Sequence, residues 1–426
     1  MKESFLHYLW ANQLFNQDTL LTDSNELLSI ISPGDCTGLD GPDFFNARIC
    51  IGNQEWAGNV EIHLKASDWF CHNHEKDVRY DSIILHVVWE NDMPIYRVNG
   101  SLIPTLELKG KVSGELLLRY EELMLPKQYL YCEDKLPNLD SLFLLQWKER
   151  LFFERLSAKV KPIEEFVKDK QGHWSQAFFC FLAKSFGLNA NGEAFFSAFR
   201  YFPISIVHKQ AYSLLQLESM FLGVVGLLDV DFDLRDEYCK SLVREWDFLK
   251  HKYTLQSLNA ASLRFFQLRP PNFPSIRLVQ LAAFYFHNGV SVNSLFQEQL
   301  TLQEIYLMFD VKVSDYWKTH YVVNKESKSS TKKLSKEFVD LLIVNVIVPF
   351  QFAYQFENNV QGDISEYLLD LLSQIKPERN SVVKMFESYN IPVDHAMDSQ
   401  ALLQLKKQYC DRKRCLECAI GKRMMK

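Results

Sequence analysis

Apolar positions along the chain follow two different periods. Phe5, Leu6, Leu9 and Trp10, with Leu14 and Phe15 beyond, recur at helical spacing, so the chain is expected to open with a helix. Strand patterns follow. Leu27 to Ile31 precedes a Ser32-Pro33-Gly34 break. Phe44 to Ile51 is rich in strand-forming residues and ends in Gly52-Asn53, a hairpin signal. Val60 to Leu64 alternates, and Ile83 to Trp89 is a near-continuous apolar run of the kind covered on both faces. Pro94 to Val98 and Leu102 to Leu108 predict a further hairpin about Asn99-Gly100.

After about residue 112 the period becomes 3.6. Leu142, Leu145, Trp147, Leu151 and Phe152 head a long amphipathic helix reaching Val160, and Phe178, Phe179, Leu182 and Phe186 form another that ends at Gly187. Further helices are predicted over 204–217, 238–249, 276–286, 338–347 and 367–375, with Pro270-Pro271-Asn272-Phe273-Pro274 as a rigid connector and Lys325 to Lys336 as an exposed loop. Gly187 to Gly192 reads as a turn between helices. The expected architecture is an α+β N-terminal domain, residues 1–111, and a larger all-α region, residues 112–426, ending in a basic, cysteine-containing tail, 403–426.

Composition narrows the functional classes. Of 426 residues, 47% are hydrophobic and 23% charged, which excludes a disordered chain. No run approaches the roughly 20 apolar residues of a spanning helix; the nearest, Leu341 to Phe350, carries Asn345 and Pro349. The N-terminus lacks a clean apolar core for secretion, so the nine cysteines read as reduced thiols and the protein is expected to be cytoplasmic, with no membrane partner. The net charge is −6, yet Leu403 to Lys426 holds eight Lys/Arg and two acids, a local +6 that leaves −12 elsewhere. A basic patch of this kind can hold a polyanion on an acidic protein, and Arg412, Lys413 and Arg414 are its densest part.

The chemistry concentrates between residues 40 and 90. In Gly58-Asn59-Val60-Glu61-Ile62-His63-Leu64-Lys65, alternation puts Glu61, His63 and Lys65 on one face. With Asp43 across a hairpin, these groups could hold Mg²⁺ or Mn²⁺ and activate water, as phosphodiester hydrolysis requires. Register sets a condition. A turn centred on Asn53-Gln54 pairs Ile51 with Trp56 and leaves Asp43 opposite Leu64, on the wrong side. A one-residue bulge, expected at Gly58, corrects the parity and lets Asp43 and Glu61 share a metal.

This pattern resembles the PD-(D/E)XK nuclease core, a helix followed by a β-meander in which an Asp starts one strand and an acid-x-Lys closes the next. Pro42-Asp43 matches the first part. Glu61-Ile62-His63 matches the second, with His63 where the family has Lys; Lys65, on the same face, is the expected substitute. The resemblance spans about the first 110 residues. It implies a metal-dependent nuclease acting on DNA or RNA, with Asp43 and Glu61 binding Mg²⁺ and His63 or Lys65 orienting or deprotonating water.

Two alternatives stay open. One is a non-catalytic nucleic-acid-binding or scaffold protein on the same fold. The other starts from four of the eleven histidines, His63, His72, His74 and His86, which fall within 24 residues and form a credible Zn²⁺ set for a hydrolase. His86, inside an apolar strand, also fits a hydrogen-bonded core position. The whole segment, from Gly-Pro-Asp-Phe through Val-Glu-Ile-His, Ser67-Asp68-Trp69, His72-Asn73-His74, Asp77, Tyr80 and Leu85-His86-Val87-Val88, is also similar to a bacterial family described only as a domain of unknown function. That similarity extends through Arg269-Pro270, Asn272-Phe273-Pro274 and the cysteine tail, and implies no named activity.

The tail contains Cys410, Cys415 and Cys418 as C-x4-C-x2-C, a spacing suited to Zn²⁺ or an Fe–S cluster. A closed site needs a fourth ligand; Cys132 and His395 are candidates, and Cys132 is the expected one.

Overall fold

The structure, a computed structural model, describes residues 1–36, 41–125, 130–170, 172–229, 236–258, 263–358 and 364–425. The chain divides into two compact units. The first comprises Met1–Phe143, Ser388–Ile391 and Leu405–Lys426; the second comprises Leu144–Glu387 and Pro392–Gln404. The division thus falls some thirty residues later than the change of period at 112, and the basic tail belongs to the first unit. The physical reason is packing. The helix Gly114–Met124 buries Tyr120 and Leu123 in the first unit's core, and the tail adds Leu416 and Met425 to the same cluster.

In the first unit, helix α1 (Glu3–Ala11) precedes strands β1 (Leu20–Leu21), β2 (Leu27–Ser32), β3 (Asp35–Cys36), β4 (Phe44–Ile51) and β5 (Gln54–Lys65). Then come α2 (Asp68–Cys71), two short 3₁₀ turns, β6 (Ile83–Glu90), β7 (Thr105–Glu107) and α3 (Gly114–Met124). The sheet runs β1-β2-β4-β5-β6-β7, with β3 also paired to β4. As far as β5 the pairing is antiparallel, as a meander requires. Beyond it, β5 and β6 are parallel, and so are β6 and β7. The meander expected throughout is therefore replaced in its second half by a crossover, residues 66–82, which is long enough to reverse direction and carry α2. The predicted hairpin at Asn99-Gly100 reduces to one bridge, Tyr96 to Leu102, and the strand that follows pairs with β6 instead.

Hydrophobic alternation fixes both faces of β5. Val60 and Ile62 enter a large core with Phe5, Leu6, Leu9 and Trp10 of α1 and with Phe44, Leu85 and Val87. On the other side lies a smaller cluster of Ala66, Trp69, Tyr80, Ile83, Val88, Ile95 and Ile103. Glu61 and His63 are therefore not a solvated face: they are 4% and 1% exposed, whereas Lys65 is exposed.

The register supplies the bulge, but on the opposite strand from the one expected. Gly52-Asn53 forms the turn, Ile51 pairs with Gln54, and the ladder continues to Ala47 opposite Gly58. It resumes with Phe44 opposite Val60. The extra residue is in β4, where Asn46 has φ +57°, the left-handed region that Asn tolerates better than most residues. Gly58 serves another purpose: a Cβ there would meet Ile84 Cγ2 at 2.4 Å and Ser82 O at 2.7 Å, so its lack of a side chain permits the close approach of β6.

Among the described residues, the regular structure of the second unit is helical apart from a two-stranded sheet, His320–Val322 with Lys325–Glu326. The long helix runs Ser141–Asp169 and another is Trp174–Phe186. The predicted turn at 187–192 shrinks to Gly187, because a new helix starts at Leu188. The segment 204–217 breaks into Ile204–Gln210 and Leu214–Val224. Lys336–Glu357 is 22 residues of helix, long and apolar enough to cross a membrane by length and composition, with 67% of its most apolar window buried. Asn345 and Pro349 do not end it, because residues Ile343–Ile347 form a π-helical turn ahead of the proline.

The bulge carries a stability prediction. Asn46→Gly should be near neutral, whereas Asn46→Val should cost roughly 1–2 kcal/mol, the penalty of left-handed backbone for a β-branched residue. Urea denaturation followed by fluorescence measures both; equal stability for the two variants would contradict the assignment.

Candidate metal centre

The bulge brings the two carboxylates predicted from sequence together. The Asp43 amide donates to Glu61 Oε2 at 3.1 Å, and the Ile62 amide donates to Asp43 Oδ2 at 2.9 Å. Each carboxylate is thus held by the other's strand, and neither is free to rotate away.

Glu61 turns its second oxygen toward the histidines. Oε1 lies 3.3 Å from His74 Nε2 and 3.8 Å from His63 Nε2. His63 Nε2 is 3.0 Å from His72 Nδ1. One nitrogen from each of His63, His72 and His74 lies within 4.8 Å of the others. The crossover makes this convergence possible. His72 ends α2, Asn73 takes φ +60° in the left-handed region, and His74 begins the next turn. That reversal turns the His-x-His pair toward β5. Lys65 N donates to Asp68 Oδ2, and the Asp77 carboxylate accepts from Arg79 N, pinning the two ends of the segment.

His86 sits behind this group. It is fully buried, and its Nε2 is 2.8 Å from His63 Nδ1. It lies outside the close group, so the four-histidine set becomes three, His63, His72 and His74, with Glu61 Oε1 beside two of them and His86 behind His63. Trp69 packs edge-on against His74 and His86, and Tyr80 stacks on His74 at 3.8 Å between centroids. Sequence reasoning missed Tyr80 as a wall of the site, although its position after the His-x-His turn was visible. His72 is exposed, so the group opens to solvent on that side.

Burial governs the protonation of these groups. It depresses His63 to about 3, with the nearby histidines adding to the effect, and holds His86 well below the ordinary imidazole value. Both rings are therefore neutral at physiological pH. In the tautomer in which His63 Nδ1–H donates to His86 Nε2, His63 Nε2 carries the lone pair and accepts from His72 Nδ1–H at 3.0 Å. Burial also raises Glu61; His74 opposes this, and Asp43 adds to it. Tyr80 is pushed up to about 12 by burial and by Glu61, so it stays a neutral phenol.

The donor set could hold a metal ion, although His63 is already engaged at both nitrogens, Nδ1 with His86 and Nε2 with His72. His74 Nε2 is buried and has no hydrogen-bond partner, although a carboxylate oxygen is 3.3 Å away. Two ligands on a tetrahedral ion with bonds near 2.0–2.1 Å stand about 3.3 Å apart, at an angle that forbids a direct hydrogen bond. An imidazole-rich set of this kind suits Zn²⁺ or Mn²⁺ better than Mg²⁺, which prefers oxygen ligands.

Two residues of α1 complete the neighbourhood, and neither was singled out from sequence. His7 Nε2 is 3.3 Å from Asp43 Oδ2 and 3.7 Å from Glu3 Oε1. Burial works to lower His7, but the carboxylates of Asp43 and Glu3 outweigh it and raise the pKa to about 9. Lys65 points to solvent and joins none of these contacts.

The tail is placed in the same unit. Burial raises the Cys410 thiol, and Cys132, Cys418 and Cys415 are close enough to raise it further. Cys415 is pushed up to about 11 by burial and by Cys418. Cys410 O accepts from Lys413 N and Cys415 O from Cys418 N, so a reverse turn follows each of the two cysteines. His395 lies in the second unit, where its Nδ1 is 3.2 Å from Asp398 Oδ2. Arg412 and Lys413 are exposed, while Arg414 is paired with Glu417.

Residues 3–381 match the model of the family described as "Protein of unknown function (DUF2851)", and the chain belongs to that family. No curated protein and no solved structure matches the chain.

The raised pKa of His7 makes a pH prediction for metal-free protein. Its folded value, about 9, exceeds the unfolded 6.5, so its stabilisation is complete below about pH 6.5 and is lost as pH rises through about 9. His7→Asn should remove that part of the decline between pH 6.5 and 9 in urea titrations. An unchanged pH profile in the variant would refute it.

Proposed function

We propose that the N-terminal unit is a metal-dependent phosphodiester hydrolase of nuclease type, acting on DNA or RNA. The observation that carries the reading is the convergence of His63, His72 and His74, with Glu61 Oε1 3.3 Å from a buried His74 Nε2 that lacks a hydrogen bond. The placement of Asp43 just before one strand and of Glu61 in the next, behind an N-terminal helix, supports the likeness to the PD-(D/E)XK core. The departure from that core lies at His63. Where the core has a lysine, this chain has a neutral imidazole that reads as a ligand. The donor set therefore favours Zn²⁺ or Mn²⁺ over the Mg²⁺ expected from sequence, and this merges the zinc-hydrolase alternative with the nuclease reading.

An ion held here would supply a water of lowered pKa and a Lewis acid for a phosphoryl oxygen. The residues divide the remaining work. His86 fixes the tautomer and angle of His63, as outer-shell partners of metal-bound histidines do. Asp43, held by the Ile62 amide, keeps Glu61 in place through its own amide and presents a carboxylate at the rim. Trp69 and Tyr80 close the inner side against water. The exposed side at His72 gives a substrate its approach.

The thiols of the tail read as a separate structural site. Four cysteines, three of them within nine residues, are the right donors for Zn²⁺ and would fasten residues 405–426 to the segment at Cys132, although in this structure their sulfurs are not drawn into one close group. Arg412 and Lys413, exposed beside it, are the groups that would meet a phosphate backbone.

The test is cleavage by the purified full-length chain of plasmid, single-stranded DNA and RNA with Mn²⁺, Zn²⁺ or Mg²⁺. Activity is expected with Mn²⁺ or Zn²⁺. Glu61→Gln and His74→Ala should each lower it by at least about 100-fold, equivalent to roughly 2.7 kcal/mol of barrier, with unchanged circular dichroism. Metal-loaded protein that cleaves no phosphodiester would overturn the reading. His86→Ala should weaken metal affinity about 10- to 100-fold without removing a ligand; calorimetry showing unaltered affinity would reject the supporting role of His86. Binding to DNA as a function of salt should lose about 0.9 in slope for each of Arg412 and Lys413 neutralised, if both touch phosphate.

A further inference from the structure

We propose that Arg277 and Lys332, in the second unit, form a binding site for a dianionic phosphate group, covered by the lysine-rich strap from Lys325 to Lys336. The inference is independent of the metal-dependent reading above.

Arg277 is 7% exposed and Lys332 is 6% exposed. Neither is paired with a carboxylate, and every oxygen that meets them is neutral. Arg277 Nη1 donates to Gln280 Oε1 at 3.0 Å and Nη2 to Asn272 Oδ1 at 2.7 Å, while the buried Nε has no partner. Lys332 Nζ donates to the carbonyls of Lys318 and Ser330, at 3.3 and 3.2 Å, and to Ser330 Oγ. Each cation also lies over a ring, Arg277 over Phe338 at 3.6 Å and Lys332 over Tyr321 at 3.7 Å. Rings and neutral oxygens offset only part of what two charges lose on leaving water. Burial lowers Arg277 to about 10 with no carboxylate opposing it, and the guanidinium still carries its charge at neutral pH. The third buried cation among the described residues, Lys148, is by contrast paired with Asp398 at 2.6 Å.

Local structure gathers the two groups. Arg277 lies in the first turn of the helix Pro274–Asn288, and the 3₁₀ turn Pro270–Asn272 before it delivers Asn272 to the guanidinium. Gln280, on the same helix, accepts from Arg277 and donates to Lys332 O at 2.9 Å, so one side chain links the two cationic segments. From Ser327 to Ser335 the strap has neither helix nor strand. It is tied down by hydrogen bonds to Gln280 and Lys318 and by the pair of Lys333 with Asp310. It is therefore the part that gives way to admit a ligand, whose oxygens would replace the neutral acceptors around the two cations.

The charge selects the ligand. A phosphomonoester carries about two negative charges at neutral pH and strong acceptor oxygens, which matches one guanidinium and one ammonium. A backbone diester carries a single charge and continues on both sides, which a covered site does not allow. Inorganic phosphate and a phosphorylated chain end share the required chemistry. Lys325, Lys328 and Lys336, exposed on the strap, would draw either one in.

Calorimetric titration of the full-length, metal-free chain tests this in phosphate-free buffer. The probes are inorganic phosphate and a short single-stranded oligonucleotide with a 5′-phosphate or a 5′-hydroxyl. Wild type should bind one equivalent of inorganic phosphate. Arg277→Met and Lys332→Met, which keep an apolar stem against Phe338 and Tyr321, should each weaken binding about 10-fold or more. Glu61→Gln should bind as wild type does. Urea denaturation gives a second reading: phosphate should stabilise wild type and leave both methionine variants where they were. Should one variant not fold, the other decides.

Tighter binding of the 5′-phosphorylated oligonucleotide than of the 5′-hydroxyl form, with the difference lost in Arg277→Met, would assign the site to a chain end. Arg277-dependent binding of inorganic phosphate alone would assign it to the free ion. If wild type binds no phosphate, or both methionine variants bind it as tightly, the site is overturned and the two cations are structural. Loss of phosphate binding in Glu61→Gln but not in Arg277→Met would place the anion at the first centre and overturn the proposal.

Discussion

Two hydrogen bonds across the bulged end of β4 and β5 set the geometry of everything around the centre: Asp43 N–H to Glu61 and Ile62 N–H to Asp43. Both depend on the extra residue at Asn46. Continued without it, the ladder from Ile51 and Gln54 would set Asp43 opposite Ile62 and leave Glu61 without its neighbour. With it, Asp43 reaches the backbone of β5, Glu61 Oε2 is occupied, and only Oε1 is left to face the histidines. A backbone distortion of one residue therefore decides which carboxylate oxygen is available for chemistry.

The histidine cluster is costly for a fold. Three imidazoles and a carboxylate are removed from water beside Trp69, Tyr80 and Val88, and each polar atom left without a partner costs of order 1–3 kcal/mol. His74 Nε2 and His86 Nδ1 are both left so. A hydrophobic replacement would pack as well at lower cost, which is why buried, incompletely satisfied polar groups point to function. The polar cost falls on the small cluster, while the large core of α1, β4, β5 and β6 is almost wholly apolar. The unit can carry a strained site because its stability comes from the other face of the same sheet.

Much of this was legible in the residues. The strands Phe44–Ile51 and Ile83–Glu90 follow from apolar runs with turn signals at their ends, and the need for a bulge followed from parity alone. The location of the bulge did not, because Gly58 is the conspicuous residue and Asn46 is not; the close packing of Ile84 on Gly58 is a tertiary fact. The parallel pairing of β5 and β6 was hidden for a related reason: an apolar run says that a strand is covered, and says nothing of its direction. Within the site, Asp43, Glu61 and the histidines stood out by density. Glu3 and His7 did not, since on a helix they look like solvated polar positions, and only the docking of α1 against Asp43 joins them to the group. The return of residues 405–426 to the first unit lies beyond any local pattern.

In the proposed likeness to the nuclease core, His63 stands where that core has a lysine, and the difference has a physical consequence. A lysine in an acid-x-Lys strand brings a permanent positive charge to the scissile phosphate. His63, held near 3 by burial and backed by neutral His86, brings none. The nearby carboxylates Glu61, Asp43 and Glu3 would by themselves repel a polyanionic backbone. Positive charge at the centre has to come from elsewhere, since Lys65 is exposed to solvent. His7, protonated, offsets one negative charge; a divalent ion among the imidazoles offsets two and also polarises the phosphoryl oxygen. The same burial that strips His63 of its proton leaves a lone pair on one ring nitrogen, shared here with His72. On the proposed nuclease reading, His63 in place of a lysine exchanges a fixed ammonium for an imidazole donor, and the positive charge would have to come from cations held by the histidines beside Glu61.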